Sequence, residues 1–369
     1  MEIKISKTEL LKTLSLISGI VEKKTTMPIL TNVLIEAKTK KVVFTATDLE
    51  VGITSSIQAE VLKEGLVAVH ARGLYDIIRE LPEDLISIRV SDGYRVDIVC
   101  GRAVFKIVGL SPDEFPKLPK KGDGMSIKVE GAIINQMIEK TAFAMSTDEM
   151  RMNLNGVYLE QKDEGKDTLR MVAIDGHRLS IIDREIKGDW KLPKGVIIPR
   201  KGIIEIKRLI EVTEGAIDLW LDDKHAIVSG DNATLIIRLL DGQFPPYKQV
   251  IPKKSDRVVG VERKTVLQAL KRVSILSVDR SRGVKFVFSP KNLEVSTSNP
   301  DFGEAKEDMS VEYKGDVFEI GFNARYFMEV LNIIEDDKTS FEMGDDTTPC
   351  LLRSGLDKGF THIIMPMRL

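Results

Sequence analysis

Ala71-Arg72-Gly73-Leu74-Tyr75-Asp76-Ile77-Ile78-Arg79-Glu80-Leu81 decides the fold, because a matching segment returns twice further along the chain. Pro199-Arg200-Lys201-Gly202-Ile203-Ile204-Glu205-Ile206-Lys207-Arg208-Leu209 is the second copy, and Asn323-Ala324-Arg325-Tyr326-Phe327-Met328-Glu329-Val330-Leu331 the third. Each ends in an acidic or glycine-containing turn that leads into alternating strands. A long period of this kind marks a repeated domain.

The neighbouring elements recur in the same order. Near the start, Lys7-Thr8-Glu9-Leu10-Leu11-Lys12-Thr13-Leu14-Ser15-Leu16-Ile17-Ser18 places apolar residues 10, 11, 14 and 17 on one helical face after a short strand. A strand-then-helix start returns at Ile127-Lys128-Val129 with Ile133, Ile134, Met137 and Ile138, and at Val258-Val259-Gly260-Val261 with Val266, Leu267, Ala269 and Leu270. Between the helices, Val33–Glu36 and Val42–Asp48 correspond to Val157–Glu160 and Leu169–Asp175, then to Val284–Phe288 and Leu293–Ser298. Pro-rich joints, Phe115-Pro116-Lys117-Leu118-Pro119 and Phe244-Pro245-Pro246-Tyr247, close the first two copies. A chance series of amphipathic patterns is the alternative, and recurrence of several elements in order argues against it. The expected fold is α+β: three copies of one domain, at 1–122, 126–252 and 253–369, each with many short antiparallel strands and two helices.

Composition is that of a soluble globular protein, with 43% hydrophobic and 30% charged residues in 369. No run approaches the roughly 18 apolar residues of a membrane span. Met1-Glu2-Ile3-Lys4-Ile5 enters a strand pattern without the apolar core of a signal peptide, so a cytoplasmic protein with no membrane partner is expected. Cys100 and Cys350 have no Cys or His at metal-ligand spacing and read as buried thiols. At the other end, Phe360-Thr361-His362-Ile363-Ile364-Met365-Pro366-Met367-Arg368-Leu369 stays apolar and strand-like, a terminus expected to dock on the body of the protein or on a partner.

Net charge is −2, but the charge is segregated. The six expected helices, 7–18, 71–81, 131–144, 199–211, 263–276 and 323–334, hold fourteen Lys and Arg against seven Asp and Glu, so the remainder of the chain is acidic. Arg200, Lys201, Lys207 and Arg208 in the second copy, and Arg263, Lys264, Lys271 and Arg272 in the third, carry most of the excess. A solvated helix face accounts for any one of them; the set suits a polyanion held on one surface.

Catalytic signatures are missing: there is no GxxxxGK[ST] loop, no GxGxxG after a strand, no HExxH and no Cys/His cluster. Asp222-Asp223, Asp336-Asp337 and Asp345-Asp346 are conceivable two-metal carboxylates, although each is expected at a hairpin turn, where solvated acids are common. In Ile174-Asp175-Gly176-His177-Arg178-Leu179-Ser180 the Asp-Gly pair signals a turn that exposes His177.

These motifs carry a family resemblance. Thr47-Asp48-Leu49-Glu50, Ile174-Asp175-Gly176-His177-Arg178-Leu179, Ile198-Pro199-Arg200-Lys201-Gly202, Leu240-Asp241-Gly242-Gln243-Phe244-Pro245 and Met365-Pro366-Met367-Arg368-Leu369, in this order over the whole chain, resemble those of the bacterial sliding clamps, the beta subunits of DNA polymerase III. The resemblance implies a clamp fold whose helices line a channel with the sheets outside, closed head to tail as a homodimer ring around double-stranded DNA. It implies a non-catalytic processivity subunit without cofactor or metal, ATP being used by a separate clamp loader. Sequence-independent DNA contacts would fall to Lys24, Arg72, Arg151, Arg200, Lys201, Lys207, Arg208, Lys271 and Arg272. The dimer would use Phe105 and Ile107 against Ile275 and Leu276, residues whose ordinary role is core.

A groove for the replicative polymerase alpha subunit, the clamp loader, and other polymerases and repair proteins would use Leu154, Ile174, Gly176, His177, Arg178, Leu179, Pro245, Val250, Pro349, Ile363, Met365, Pro366, Met367, Arg368 and Leu369. Methionine suits such a surface because it repacks around different peptides. Two positions depart from the family pattern: Ile174 stands where many relatives have a small polar residue, and Gln249 where some have Arg. Loop residues Asp148, Met152 and Asn153 map beside Arg151, and the aromatic pair of some relatives is absent at 152 and 153, which weakens stacking on single strands. Two rivals remain at this point: a nucleotidyltransferase with magnesium on the Asp pairs, and a scaffold that binds only proteins.

Overall fold

Periodicity in the sequence translates directly into elements. The computed structural model describes every residue except 23–25, 163–166, 253, 278–281 and 369, so Lys24 and Leu369 lie outside the described residues. Among those described there are six α-helices: α1 (Lys7–Ile20), α2 (Ala71–Glu80), α3 (Gly131–Thr141), α4 (Arg200–Glu211), α5 (Arg263–Val273) and α6 (Ala324–Ile333). All six expected segments are helical. Two of the recurrent helices start on a side-chain cap, His70 Nδ1 accepting from Gly73 N–H at 3.0 Å and Asn323 Oδ1 from Arg325 N–H at 2.9 Å.

The chain forms two compact contact units, one of residues 1–135 with 201–239 and the other of 136–200 with 240–369. Both divide the second repeat, because the long sheets run across repeat boundaries. In the first unit an eight-stranded antiparallel sheet has the order Met125–Glu130, Ala216–Leu221, His225–Ser229, Ala233–Arg238, Val51–Gln58, Lys41–Thr47, Asn32–Lys38, Gly65–His70. The junction between repeats is the pairing of Ala233–Arg238 with Val51–Gln58, Ile236 opposite Gly52. A second, five-stranded sheet runs Glu60–Lys63, Glu2–Ser6, Leu85–Ser91, Arg95–Cys100, Ala103–Val108.

The second unit repeats the plan. Its eight-stranded sheet is Val196–Pro199, Gly156–Gln161, Thr168–Ile174, Arg178–Glu185, Phe360–Ile364, Cys350–Ser354, Lys338–Met343, Arg257–Glu262. Here the tail strand Phe360–Ile364 makes the junction, with Leu179 opposite Ile363. A four-stranded sheet, Gly303–Ser310, Asn292–Asn299, Gly283–Ser289, Phe318–Asn323, completes it.

The same turn chemistry closes the equivalent hairpin in each copy. Asp48 Oδ1 accepts from Glu50 and Val51 N–H, Asp175 Oδ1 from His177 and Arg178 N–H, and Asn299 Oδ1 from Asp301 and Phe302 N–H. Gly176 has φ 93°, which glycine adopts without the steric cost of a β-carbon. Asp222 and Asp345 cap hairpins in the same way. Asp336 corrects the expectation of a third acidic hairpin: it lies between α6 and Lys338–Met343, is 6% exposed, and accepts from Ser354 Oγ and Leu356 N–H, so it is a structural acceptor.

Strand alternation fills the cores. In the second unit Phe286, Phe288, Phe322, Phe327 and Phe341 are fully buried, with ring centroids of neighbouring pairs 4.9 to 6.0 Å apart. Each such side chain stabilises the fold by about 2 to 3 kcal/mol relative to exposure. Cys100 and Cys350 are buried free thiols. No helix of the described residues is long and apolar enough to cross a membrane.

His362 is the odd member of the tail strand. It is fully buried beside Phe143, ring centroids 5.3 Å apart, and neither ring nitrogen has a hydrogen-bond partner. Burial, then the Arg178 charge, hold its pKa well below the ordinary value. Lys140, whose ammonium pairs with Asp357 and lies 5.5 Å from the Phe360 ring, is another charge near this strand. The unfolded chain takes up a proton near pH 6.5 and the folded chain resists it, so stability falls as pH drops below about 6.5, by up to about 1.4 kcal/mol per unit. His362→Phe should remove that part of the loss: between about pH 7.5 and pH 5.5 its melting temperature should fall less than that of the wild type. Equal falls would show that another group governs this window.

Candidate functional site

Period-two alternation sorts the residues of the tail strand and its neighbours onto two faces. On one, Ile174 lies opposite Leu179, Leu179 opposite Ile363, and Ile363 opposite Leu351. With Leu154, Val172, Ile181 and Tyr247 they make one apolar cluster, and Tyr158, Phe244, Val250 and Ile251 pack on it half-buried. Five residues expected in the groove, Leu154, Ile174, Leu179, Val250 and Ile363, are therefore brought together. Val172, Ile181, Leu351, Tyr158, Phe244 and Tyr247 were missed by sequence reasoning; the signal available was strand alternation carried across the hairpin and the tail.

Linker aromatics cover this face. Phe244 stacks on Tyr158 with centroids 4.6 Å apart, and Tyr247 reaches Glu160 and Arg170 with its hydroxyl. Arg170 in turn holds Asp183 through two nitrogens at 2.6 and 2.8 Å. Burial and the Glu160 bond push the Tyr247 phenol far above its ordinary range, so it stays a neutral donor to that carboxylate. Pro245 and Pro349 are half-buried, and Gln249 is exposed.

The chain end continues from the strand without leaving the surface. Met365 N–H donates to His177 O at 2.8 Å and Met367 N–H to Gly321 O at 2.9 Å. Met365, Pro366 and Met367 remain half-exposed and Arg368 exposed. Gly176 and His177 are exposed at the hairpin tip, as the turn motif implies.

Arg178 belongs to the opposite face of its strand. It is 6% exposed, and its guanidinium pairs with Asp175 at 3.0 Å and with Glu329 of α6, and donates to Phe143 O at 2.6 Å. The Tyr326 and Phe143 rings flank it at 4.5 and 5.3 Å. Burial disfavours the Glu329 carboxylate, yet bonds from Arg325 and Arg178 outweigh this and hold its pKa below the ordinary value. Arg178 therefore ties the hairpin of the second repeat to a helix of the third. A polar pocket of about 480 Å³ adjoins it, lined also by His177, Arg151, Asp148 and Arg325.

The basic residues divide by what their heads do. Arg200 is half-buried and donates to Met145 O, Ser146 O and Asn155 Oδ1, and burial lowers its pKa. Lys201 donates to Ile20 O and pairs with Asp48, whose side chain is 5% exposed. Both heads are thus engaged within the fold. Arg208 pairs with the buried Glu205 at 2.8 Å beside Gly19 of α1, where a β-carbon would lie 2.0 Å from Arg208 Nη1. Burial raises the Glu205 pKa, with Arg208 opposing. Arg272 pairs with Glu307 at 2.5 Å while remaining 58% exposed. Arg72, Arg151 and Lys271 are exposed, and Lys207 is half-buried.

The expected dimer residues are not a plain core. Phe105 is 37% exposed and Ile275 71%, with Ile107 and Leu276 half-buried. Phe105 stands on Ala103–Val108, the outermost strand of its sheet, where Val104 and Val108 are also exposed. An apolar open edge of this kind invites a further strand.

Three repeats of strand-rich domains, two helices to each, with sheets continued from one repeat to the next, define a clamp-fold protein. Comparison with known proteins agrees domain by domain: residues 1–119 match the model of the DNA polymerase III beta subunit N-terminal domain, 128–246 its central domain and 248–368 its C-terminal domain. The chain is 34% identical to the beta sliding clamp of Pseudomonas putida over 371 residues and 35% identical to that of Caulobacter vibrioides over 373, with all of each chain covered. Among solved structures, the Caulobacter crescentus clamp superposes with a TM-score of 0.95 at 34% identity, and the Bartonella birtlesii clamp bound to griselimycin with 0.96 at 34%, both over the full length of each chain. The chain belongs to the beta sliding clamp family, the beta subunits of bacterial DNA polymerase III.

Proposed function

We propose that two copies of this chain close head to tail into a ring around double-stranded DNA, and that the ring tethers DNA polymerase III to its template. The chain is then a non-catalytic processivity factor in the cytoplasm, with three repeats at 1–122, 126–252 and 253–369. One observation carries the ring: the first repeat leaves the apolar strand Ala103–Val108 at an open sheet edge, and the third leaves Gly303–Ser310 at another. Pairing of the two across subunits would extend both sheets and cover Val104, Phe105 and Val108, with Ile107, Ile275 and Leu276 alongside. Glu304, Glu307 and Asp308 on the acidic edge complement Arg102 and Lys106 on the other.

DNA contacts fall to Arg72, Arg151, Lys207, Arg208, Lys271 and Arg272, with Lys24 as a further candidate, whereas Arg200 and Lys201 hold their neighbours in place. Phosphate contacts of this kind are indifferent to sequence and weaken with salt, so retention would come from topology. The cluster of Leu154, Ile174, Leu179, Val250 and Ile363, flanked by Gly176, His177, Pro245, Pro349 and the tail Met365 to Leu369, is the groove for apolar peptides of the polymerase alpha subunit, the clamp loader and repair proteins. Arg178 shapes it from behind. Griselimycin bound to the Bartonella birtlesii and Pseudomonas aeruginosa clamps supports a ligand site in such proteins.

Mass in solution tests the ring. The wild type should run near twice 41.3 kDa, and Phe105→Asp should run at the single-chain mass with its thermal unfolding little changed. A wild-type monomer, or a Phe105→Asp dimer, would remove the edge-pairing account. Primer extension by the isolated chain would favour the nucleotidyltransferase reading instead.

A further inference from the structure

The internal repeat predicts a second copy of the groove floor, in the first contact unit, and the strand registers locate it. In the second unit the floor runs Ile174, Leu179, Ile363, Leu351 across four strands. The same register positions of the first unit hold Thr47, Gly52, Ile236 and Ile227, with Trp220 on the next strand. Trp220, Ile227 and Ile236 form a separate buried apolar cluster, and the residue packed against it is Leu118 of the linker.

Glycine makes the room for that side chain. Where the second unit has Leu179, the first has Gly52, and a β-carbon built there would lie 2.5 Å from Leu118 Cδ2 and 3.2 Å from Cδ1. Gly52 has no positive φ, so its use is a matter of space. Leu118 sits in Phe115-Pro116-Lys117-Leu118-Pro119, where a proline two residues before it and another directly after it stiffen an extended segment. The corresponding residue of the second linker, Tyr247, belongs to the cluster of Leu179 and Ile363 in the same way, with its hydroxyl carried to Glu160 and Arg170.

We propose that the chain carries a second apolar peptide pocket, over Gly52, Ile236, Ile227 and Trp220, which its own Leu118 occupies in cis. A tethered side chain competes at an effective concentration on the order of millimolar, and a peptide from outside gains access only in the fraction of time the linker is released. The proposal rests on reading the second unit's cluster as a peptide groove, but its test reports on Trp220 alone and is independent of any partner protein.

The chain has two tryptophans, so Trp190→Phe makes Trp220 the sole indole reporter. In that background Leu118→Ala should shift the emission of Trp220, 4% exposed in the structure, to the red as water reaches the ring. Millimolar acetyl-Phe-Pro-Lys-Leu-Pro-amide, the chain's own linker sequence, should shift it back, and the same peptide with Ala for Leu should not. An emission unmoved by Leu118→Ala, or restored equally by both peptides, overturns the proposal. Gly52→Ala provides a check that needs no ligand. With Leu118 present it should lower the melting temperature by about 3 °C, and in the Leu118→Ala background it should not lower it. The same loss in both backgrounds overturns the seating of Leu118 on Gly52.

Discussion

Removal of Met365 to Leu369 should abolish stimulation of the polymerase while the folded chain and its dimer survive. The physical basis is the division of labour along the tail. Ile363 and Ile364 are fully buried and pair with Leu179 and Arg178, so the structural work is done before residue 365. Beyond it the backbone is held by two hydrogen bonds, Met365 N–H to His177 O and Met367 N–H to Gly321 O, and the side chains stay half-exposed. Deleting them removes a wall from the groove and little from the core. Loss of two methionine anchors costs a bound peptide about 3 kcal/mol, roughly a hundredfold in affinity. The check is a processivity assay beside a mass measurement. A truncated chain that stimulates normally, or one that loses its dimer, would return the tail to a structural role.

Arg72, Arg151 and Lys271 changed together to Glu should shorten residence on DNA and flatten its salt dependence. Each lost phosphate contact lowers the slope of log affinity against log salt by about one, so the triple variant should lose about three per chain, about six for the two-chain ring. These three are exposed, and among the described residues Arg151 pairs only with the likewise exposed Asp148 at 3.5 Å. Arg200, Lys201, Arg208 and Arg272 are engaged with Asn155, Asp48, Glu205 and Glu307. Reversing Lys201, Arg208 or Arg272 would place like charges together, two of them beside buried carboxylates, and reversing Arg200 would turn a carboxylate on three oxygen acceptors, which would confuse unfolding with weakened binding. An unchanged slope in the triple variant would count against contact between these basic positions and DNA.

What the sequence disclosed and what it withheld follow from the range of each interaction. Helices α1 to α6 were legible because a 3.6-residue period is local, and the Asp175 hairpin because a side-chain acceptor two or three residues from its donor is local too. The joining of sheets across repeats was not. Ile236 meets Gly52, and Ile363 meets Leu179, over nearly half the chain, and nothing in either strand names its partner. The apolar cluster around Ile363 was half legible for the same reason. Its apolar members share one face, but alternation sends Arg178, in the middle of the motif, to the other face and into a cage with Glu329. Charge counting on helices found the basic residues but not their surroundings, since a count does not show whether a cation meets solvent or, as Arg200 and Lys201 do, a protein acceptor.

Topological retention is the centre of the account, and it has a direct test. The protein should be loaded by its clamp loader onto a nicked circular duplex, freed of unbound chains, and followed before and after one restriction cut. Loaded chains should remain on the closed circle at moderate salt and leave by sliding off the ends once the circle is linear. Equal dissociation from circular and linear DNA would contradict a ring that encircles its ligand.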